Sequence, residues 1–415
     1  MADYTNLDPK TLVAPPVTAT IRMRSLIIGA IGAVICLIGA FIPGGAEHLI
    51  HSWLVAFMFW LGLSLGCMGL LMLTYMVGGW WGFIPRRIFL AGAQNVYLMA
   101  IFFLPILIWR KSLYVWMTNE FRNGLPTQEA QLWKFASYLT QSRFIVASII
   151  YFLIWMGMVY LLARWAAERN LSPGNDRQWR LQFQKLSAPG LILYCLSMTF
   201  ASFDWVMSLD PHWYSTIFGM IFLAGQALSA LSFTAAICIL LSKQEPMSLF
   251  FKKDIMHDIG KLMLAFTMFW AYVSFSQFLI IWAGNLPEEI HWFLNRLDHG
   301  WEVLAIGIIL FHFAMPFSLL LSKDLKKNRL GLTTTAVLIM FMRYVELYWY
   351  IKPNFSDAGN LKFAWLDIGT AAMMGGFWMA VFLRNLRTRP LFPVNDPLMD
   401  TALEHLGEKQ FQHQH

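Results

Sequence analysis

Ten runs of apolar residues, each long enough to cross a hydrocarbon layer of about 30 Å, constrain this chain more than any other feature. They lie near 25–42, 49–77, 88–109, 142–163, 188–209, 216–241, 258–283, 300–321, 332–352 and 364–384. In lipid a backbone has to satisfy its own hydrogen bonds, so runs of this length and composition predict helices. Of 415 residues 58% are hydrophobic and 13% charged, and the segments between runs are too short for a separate soluble catalytic domain. The reading is an all-α integral membrane protein with about ten transmembrane helices over 25–384, an N-terminal tail over 1–24 and a C-terminal tail over 385–415. The first twenty residues are polar and lack the basic start, apolar core and cleavage site of a secretory signal.

Basic residues set the expected orientation. Arg22, Arg24, Arg86, Arg87, Arg164, Arg169, Lys252, Lys253, Lys326, Lys327 and Arg384 all fall on the side of the membrane that holds the termini. On the opposite side most lie in one long loop, as Arg110, Lys111, Arg122, Lys134 and Arg143, where the charge rule is weaker. Both termini are therefore expected in the cytoplasm of a bacterium, with the chain in its inner membrane. The formal charge of +7 comes from these flanking residues, so nucleic acid is not an expected partner. Cys36, Cys67, Cys195 and Cys238 are scattered singly, which argues against iron–sulfur, zinc or disulfide frameworks.

Ionisable residues inside or beside the apolar runs are the candidate functional groups. Between the fifth and sixth runs lies Phe203-Asp204-Trp205-Val206-Met207-Ser208-Leu209-Asp210-Pro211-His212-Trp213-Tyr214-Ser215-Thr216. Pro211 disfavours the helical region at Asp210, so a helix should stop there. Asp204 falls one to two turns earlier, still within the run, where a carboxylate is costly unless it meets protein, water or a ligand. The same side carries Glu47, His48, His51, Glu288, Glu289, His291, Asp298 and Asp367, of which Glu288 and Glu289 read as ordinary surface charge. His299 and Glu302, three apart on one helical face, fit a proton relay or a structural hydrogen bond equally well. Deeper in the membrane, Arg343 and Glu346 share a face and can pair, and His312, Gln277, Ser274 and Ser276 extend the polar set.

Two function classes compete with proton or quinone handling. His299 and His312 are spaced like axial haem ligands, and His48 or His51 could serve as partner near the outer surface, but no second mid-membrane histidine exists. A secondary transporter suits the intramembrane charges, yet matching Gly- or Pro-broken helices are absent from the two halves. Gly78-Gly79 and Gly375-Gly376 read instead as places of close helix packing.

The 203–216 run, with Gly78-Gly79-Trp80-Trp81, Asp298-His299-Gly300-Trp301-Glu302 and Arg343-Tyr344-Val345-Glu346, resembles the polysulfide-reductase-like (NrfD/PsrC-type) membrane subunits of alternative complex III. This complex is a bacterial quinol:cytochrome c oxidoreductase, and the likeness is nearest to its second such subunit, called F. The resemblance implies two four-helix bundles with a flanking helix pair and no redox centre of the chain's own. It implies as partners an iron–sulfur/molybdopterin-like peripheral subunit, multihaem cytochrome c subunits, a sister NrfD-like subunit and lipids. A quinone (menaquinone or ubiquinone) is the ligand it brings into view. Oxidising a quinol releases two protons, so a pocket needs carboxylate or imidazole groups beside apolar walls. Asp204, Asp210, His212, His299 and Glu302 are the expected quinone or proton groups, and His312, Arg343, Glu346 and Gln277 the expected inward path.

Overall fold

The computed structural model describes residues 12–126, 129, 131–171, 176–355, 360, 361, 363–392, 396, 398 and 399. Its ten membrane-length helices are α1 Val17–Ala40, α2 Gly45–Val77, α3 Arg86–Ile108, α4 Gln141–Leu171, α5 Asp176–Trp205, α6 Phe218–Leu241, α7 Lys253–Gly284, α8 Trp301–Leu321, α9 Arg329–Ile351 and α10 Trp365–Arg387. The described residues contain no strand. The all-α membrane architecture expected from hydropathy is therefore present. The face on which α1 begins and α10 ends is called the first face below, and the other the opposite face.

Most helices outrun their apolar stretches. α1 starts at Val17, well before 25, and α4, α5 and α7 extend the same way on the first face. Hydropathy marks only the part of a helix that needs lipid, and long basic side chains let the backbone continue helically into the headgroup layer. α5 ends as its sequence requires: a single 3-10 turn, Met207–Leu209, follows Trp205, and Asp210 is extended ahead of Pro211.

Two sets of four helices form. α2, α3, α4 and α5 pack around one another, as do α6, α7, α8 and α9, with α2 against α6 and α9 at the seam. α2 is apolar on all sides, and 94% of its most apolar stretch is buried, as expected of a helix enclosed by others. α1 and α10 pair along their length and lean on α2. A Cβ on Gly376 would strike the backbone of Gly29, so this pair depends on glycines for its close approach. Gly78-Gly79 differs from expectation. Both have positive φ (74° and 91°), and Gly78 has open space where a Cβ would go, so the pair ends α2 in a positive-φ turn open to glycine rather than packing two helices.

Candidate functional site

Asp204 sits in a closed polar knot at the opposite-face end of α5. It is 1% exposed, and its carboxylate receives a fork from Arg143 (2.8 and 3.3 Å) and the Tyr151 hydroxyl at 2.7 Å. Tyr138 lies under the Arg143 guanidinium at 3.5 Å, and burial together with Asp204 raises its phenol pKa. Trp205 fills the space beneath, its indole donating to Ser148 Oγ at 3.0 Å and its ring packed on Phe103 and Phe152. Both carboxylate oxygens are occupied and aromatic rings close the surroundings. The arrangement holds α4 to α5.

The remainder of the 203–216 turn grips a connector. Asp210 Oδ1 accepts the backbone N–H groups of His212 and Trp213 at 3.2 and 3.3 Å, and Oδ2 meets His291 Nε2 at 2.8 Å. Trp213 stacks on Trp292 with ring centres 4.4 Å apart. His291 and Trp292 belong to the short helix Pro287–Leu294, so both contacts hold that helix down. His212 itself is exposed, beside Phe121 and Phe135. Arg296, just beyond the short helix, is buried; it donates to the carbonyls of Trp292 and Tyr350 at 2.9 and 2.8 Å and to Asn354 Oδ1 at 2.9 Å. Burial draws its pKa down to about 9, against the raising influence of Asp210, which leaves it charged at neutral pH.

His299 and Glu302 are not brought together as a relay. His299 is exposed, in a left-handed conformation (φ 56°), with Nε2 3.6 Å from Asp298. Glu302 turns back to accept the Gly300 N–H at 2.8 Å, satisfying a free donor at the start of α8. Each is engaged in local structure, because the loop before α8 turns His299 off the helical face that its spacing from Glu302 assumed.

The second bundle holds a different arrangement. Glu346 on α9 is 1% exposed; Oε1 accepts the Trp270 indole N–H at 2.8 Å and Oε2 the Arg343 guanidinium at 2.5 Å. A Cβ on Gly225 of α6 would fall inside the Arg343 guanidinium, so a glycine there makes the room the arginine occupies. His312, fully buried, lies edge-on to Trp270, with Nε2 3.6 Å from Glu346 Oε2 and neither ring nitrogen hydrogen-bonded. It sits in a π-helical stretch, Ile308–Ala314, that interrupts α8, a distortion frequent at functional sites.

Beside Glu346 a cleft of about 670 Å³ opens between α7, α8 and α9. Its walls are Trp270, Phe278, Ile308, Phe313, Trp349 and Tyr350, and the connector residues Trp292, Phe293 and Leu297 roof it. Tyr272, Phe275 and Ile309 line its mouth and are exposed on helix faces at membrane depth, so it opens sideways towards lipid. Among the described lining residues Glu346 alone is charged. Gln277 also lines the cleft; it is 3% exposed and its Nε2 carries no hydrogen bond. The volume and the few polar groups in an apolar wall are those of a small-molecule site.

The structure thus gathers Glu346, Arg343, His312 and Gln277 and leaves Asp204, His212, His299 and Glu302 elsewhere. Asp210 joins the cleft indirectly, through its roof. Residues that the sequence reading passed over are Trp270, the donor to Glu346, and Arg296, the anchor of the roof. A third buried carboxylate, Asp367 on α10, pairs with Lys352 at 3.0 Å and accepts from Ser52 at 2.5 Å and Tyr348 at 3.3 Å, a polar tie between α2, α9 and α10. Among the described residues no group of three or more His, Cys, Asp or Glu is placed to hold a metal ion. A scan of protein-family models finds no match to this chain, and a search of curated proteins finds none either. Function therefore has to be argued from the site's own chemistry.

Proposed function

We propose that this chain is a quinone-binding membrane subunit of a respiratory quinol oxidoreductase in a bacterial inner membrane, with both termini cytoplasmic. The observation that carries the reading is the α7–α9 cleft: apolar, aromatic, open to the lipid side, and bounded by one carboxylate. A quinone ring with its isoprenoid tail reaches a protein from within the bilayer, so a lateral mouth suits it and an aqueous funnel does not. Aromatic walls suit a flat ring. Gln277 Nε2 supplies an uncommitted donor for one ring oxygen, and Glu346 faces the cleft as the group that takes up a proton when a quinol is oxidised. Trp270 and Arg343 hold the carboxylate in place, and His312 stands next to it to receive the proton in turn.

The two electrons of that oxidation go to an iron–sulfur or haem centre in a partner subunit, as the likeness of 203–216 to alternative complex III subunits leads us to expect. A transporter has less in its favour, since a site with one charge in an apolar wall offers little to a hydrophilic solute.

A direct test uses tryptophan fluorescence. Trp270, Trp292 and Trp349 line the cleft, so titration of the purified protein with a short-tailed naphthoquinol, kept reduced under anaerobic conditions, should quench them saturably. Glu346→Gln should raise the apparent Kd of the quinol, whose hydroxyl donates to the carboxylate, about tenfold or more, the usual order for a lost charge-assisted hydrogen bond. Linear, unsaturable quenching that is equal in wild type and variant would refute the assignment.

A further inference from the structure

At the first face, far from the cleft, four arginines line one recess, and two of them share a carboxylate. Arg86 and Arg87 open α3, Arg169 lies near the end of α4 and Arg389 follows α10; with Tyr75 and Asn170 they line a recess of about 30 Å³. Asp396 Oδ2 accepts from Arg86 at 2.8 Å and from Arg169 at 3.0 Å. Arg389 donates to the Ala163 carbonyl at 2.5 Å, and Arg87 Nη2 to the Asn385 carbonyl and to Thr388 Oγ1 at 3.1 Å. Arg87 is 7% exposed, yet its Nη1 and Nε have no hydrogen-bond partner, and neither does Nε of Arg86. Among the described residues neither Arg87 nor Arg389 meets a carboxylate, while Arg86 and Arg169 share Asp396.

Buried guanidinium donors without acceptors are costly, and a cluster of them calls for an anion. Its depth and neighbours narrow the choice. The recess lies at the ends of membrane helices, where lipid phosphates lie, and the adjoining end of α2 exposes Met76 and Val77, apolar surface suited to acyl chains. The planar fork of arginine matches phosphate oxygens.

We propose that this recess binds a phosphate group, with Arg87 and Arg389 as its principal ligands and Asp396 keeping Arg86 and Arg169 in position. The source is the headgroup of an anionic phospholipid or free phosphate, two cases that one experiment separates. The full chain is placed in nanodiscs of phosphatidylcholine alone, in nanodiscs that also contain phosphatidylglycerol, and in phosphatidylcholine nanodiscs with inorganic phosphate in the buffer. Thermal unfolding and retained lipid, by mass spectrometry, are then read.

Stabilisation of the wild type by phosphatidylglycerol but not by inorganic phosphate supports the site with a lipid source; stabilisation by inorganic phosphate supports it with a soluble one. In either case Arg389→Gln, at the half-buried rim, should weaken binding about tenfold. Arg87→Gln is the stronger test but removes a tie to α10, so the rim variant decides if it fails to fold. No stabilisation by either additive, or equal stabilisation of wild type and Arg389→Gln, would overturn the proposal and leave Arg86 and Arg169 as anchors of Asp396 and Arg87 and Arg389 as ties between helix ends.

Discussion

Asp204 and Glu346 are carboxylates of equal burial, each 1% exposed and each paired with an arginine, one in each four-helix set. What separates them is the space beside them. The Asp204 knot is filled by aromatic rings, and its carboxylate already holds an arginine fork and a tyrosine hydroxyl. Glu346 holds one arginine and one indole and borders an open cleft, with an unbonded histidine behind it. Charge at membrane depth identifies both as costly and therefore retained for a reason, but only the unfilled volume distinguishes holding helices together from holding a ligand.

Substitutions can sharpen or break this contrast. The largest expected effect on folding belongs to Asp204→Ala, which leaves Arg143 without its counter-charge; a loss of about 3 kcal/mol should be visible as a lower Tm in detergent. Protein that survives should bind naphthoquinol with unchanged Kd, and a weakened Kd would erase the distinction between the two carboxylates. Glu346→Gln keeps the side-chain shape but leaves Arg343 less well paired. It should cost less stability, about 2 kcal/mol, together with the tenfold loss of quinol affinity.

Gln277→Leu separates ligand from structure more cleanly. Its buried amide has an unmet donor, so the apolar replacement should be neutral or stabilise by up to about 1 kcal/mol, while quinone binding weakens about fivefold. Improved stability with unchanged binding would remove Gln277 from the site. The smallest effect is expected of His299→Asn, chosen because asparagine tolerates the left-handed backbone there. Neither Tm nor quinone Kd should move measurably; a change in Kd would restore His299 to the site.

How much of this was legible in the sequence follows the range of the forces involved. The ten helices were, because burial in lipid acts on each run separately. So was the stop at Asp210-Pro211, a steric rule between neighbours. The Arg343–Glu346 pair was readable from i, i+3 spacing. Arg143 was not readable as the partner of Asp204: the two are 61 positions apart, and Arg143 read as one more charge of a long loop. Trp270 and Arg296 carried no local signal either, since an indole in a membrane helix and an arginine in a connector are ordinary until packing gives them Glu346 and Tyr350. Asp204 drew attention by its depth, but depth reports the cost of a charge and not what meets it. The Gly78-Gly79 pair shows the same limit, because a glycine kept for positive φ and one kept for close packing look alike in sequence.

The central claim is that the ligand sits between α7, α8 and α9 and not at the 203–216 turn. Photolabelling with an azido-quinone, in the native membrane and followed by peptide mapping, tests it directly. The account expects label on the α7 stretch Met268–Phe278 and around Trp349, displaced by excess unlabelled quinone, and displaced less readily by quinol in Glu346→Gln. Displaceable label confined to Phe203–Thr216, or none on this chain while a neighbouring subunit is labelled, would contradict it.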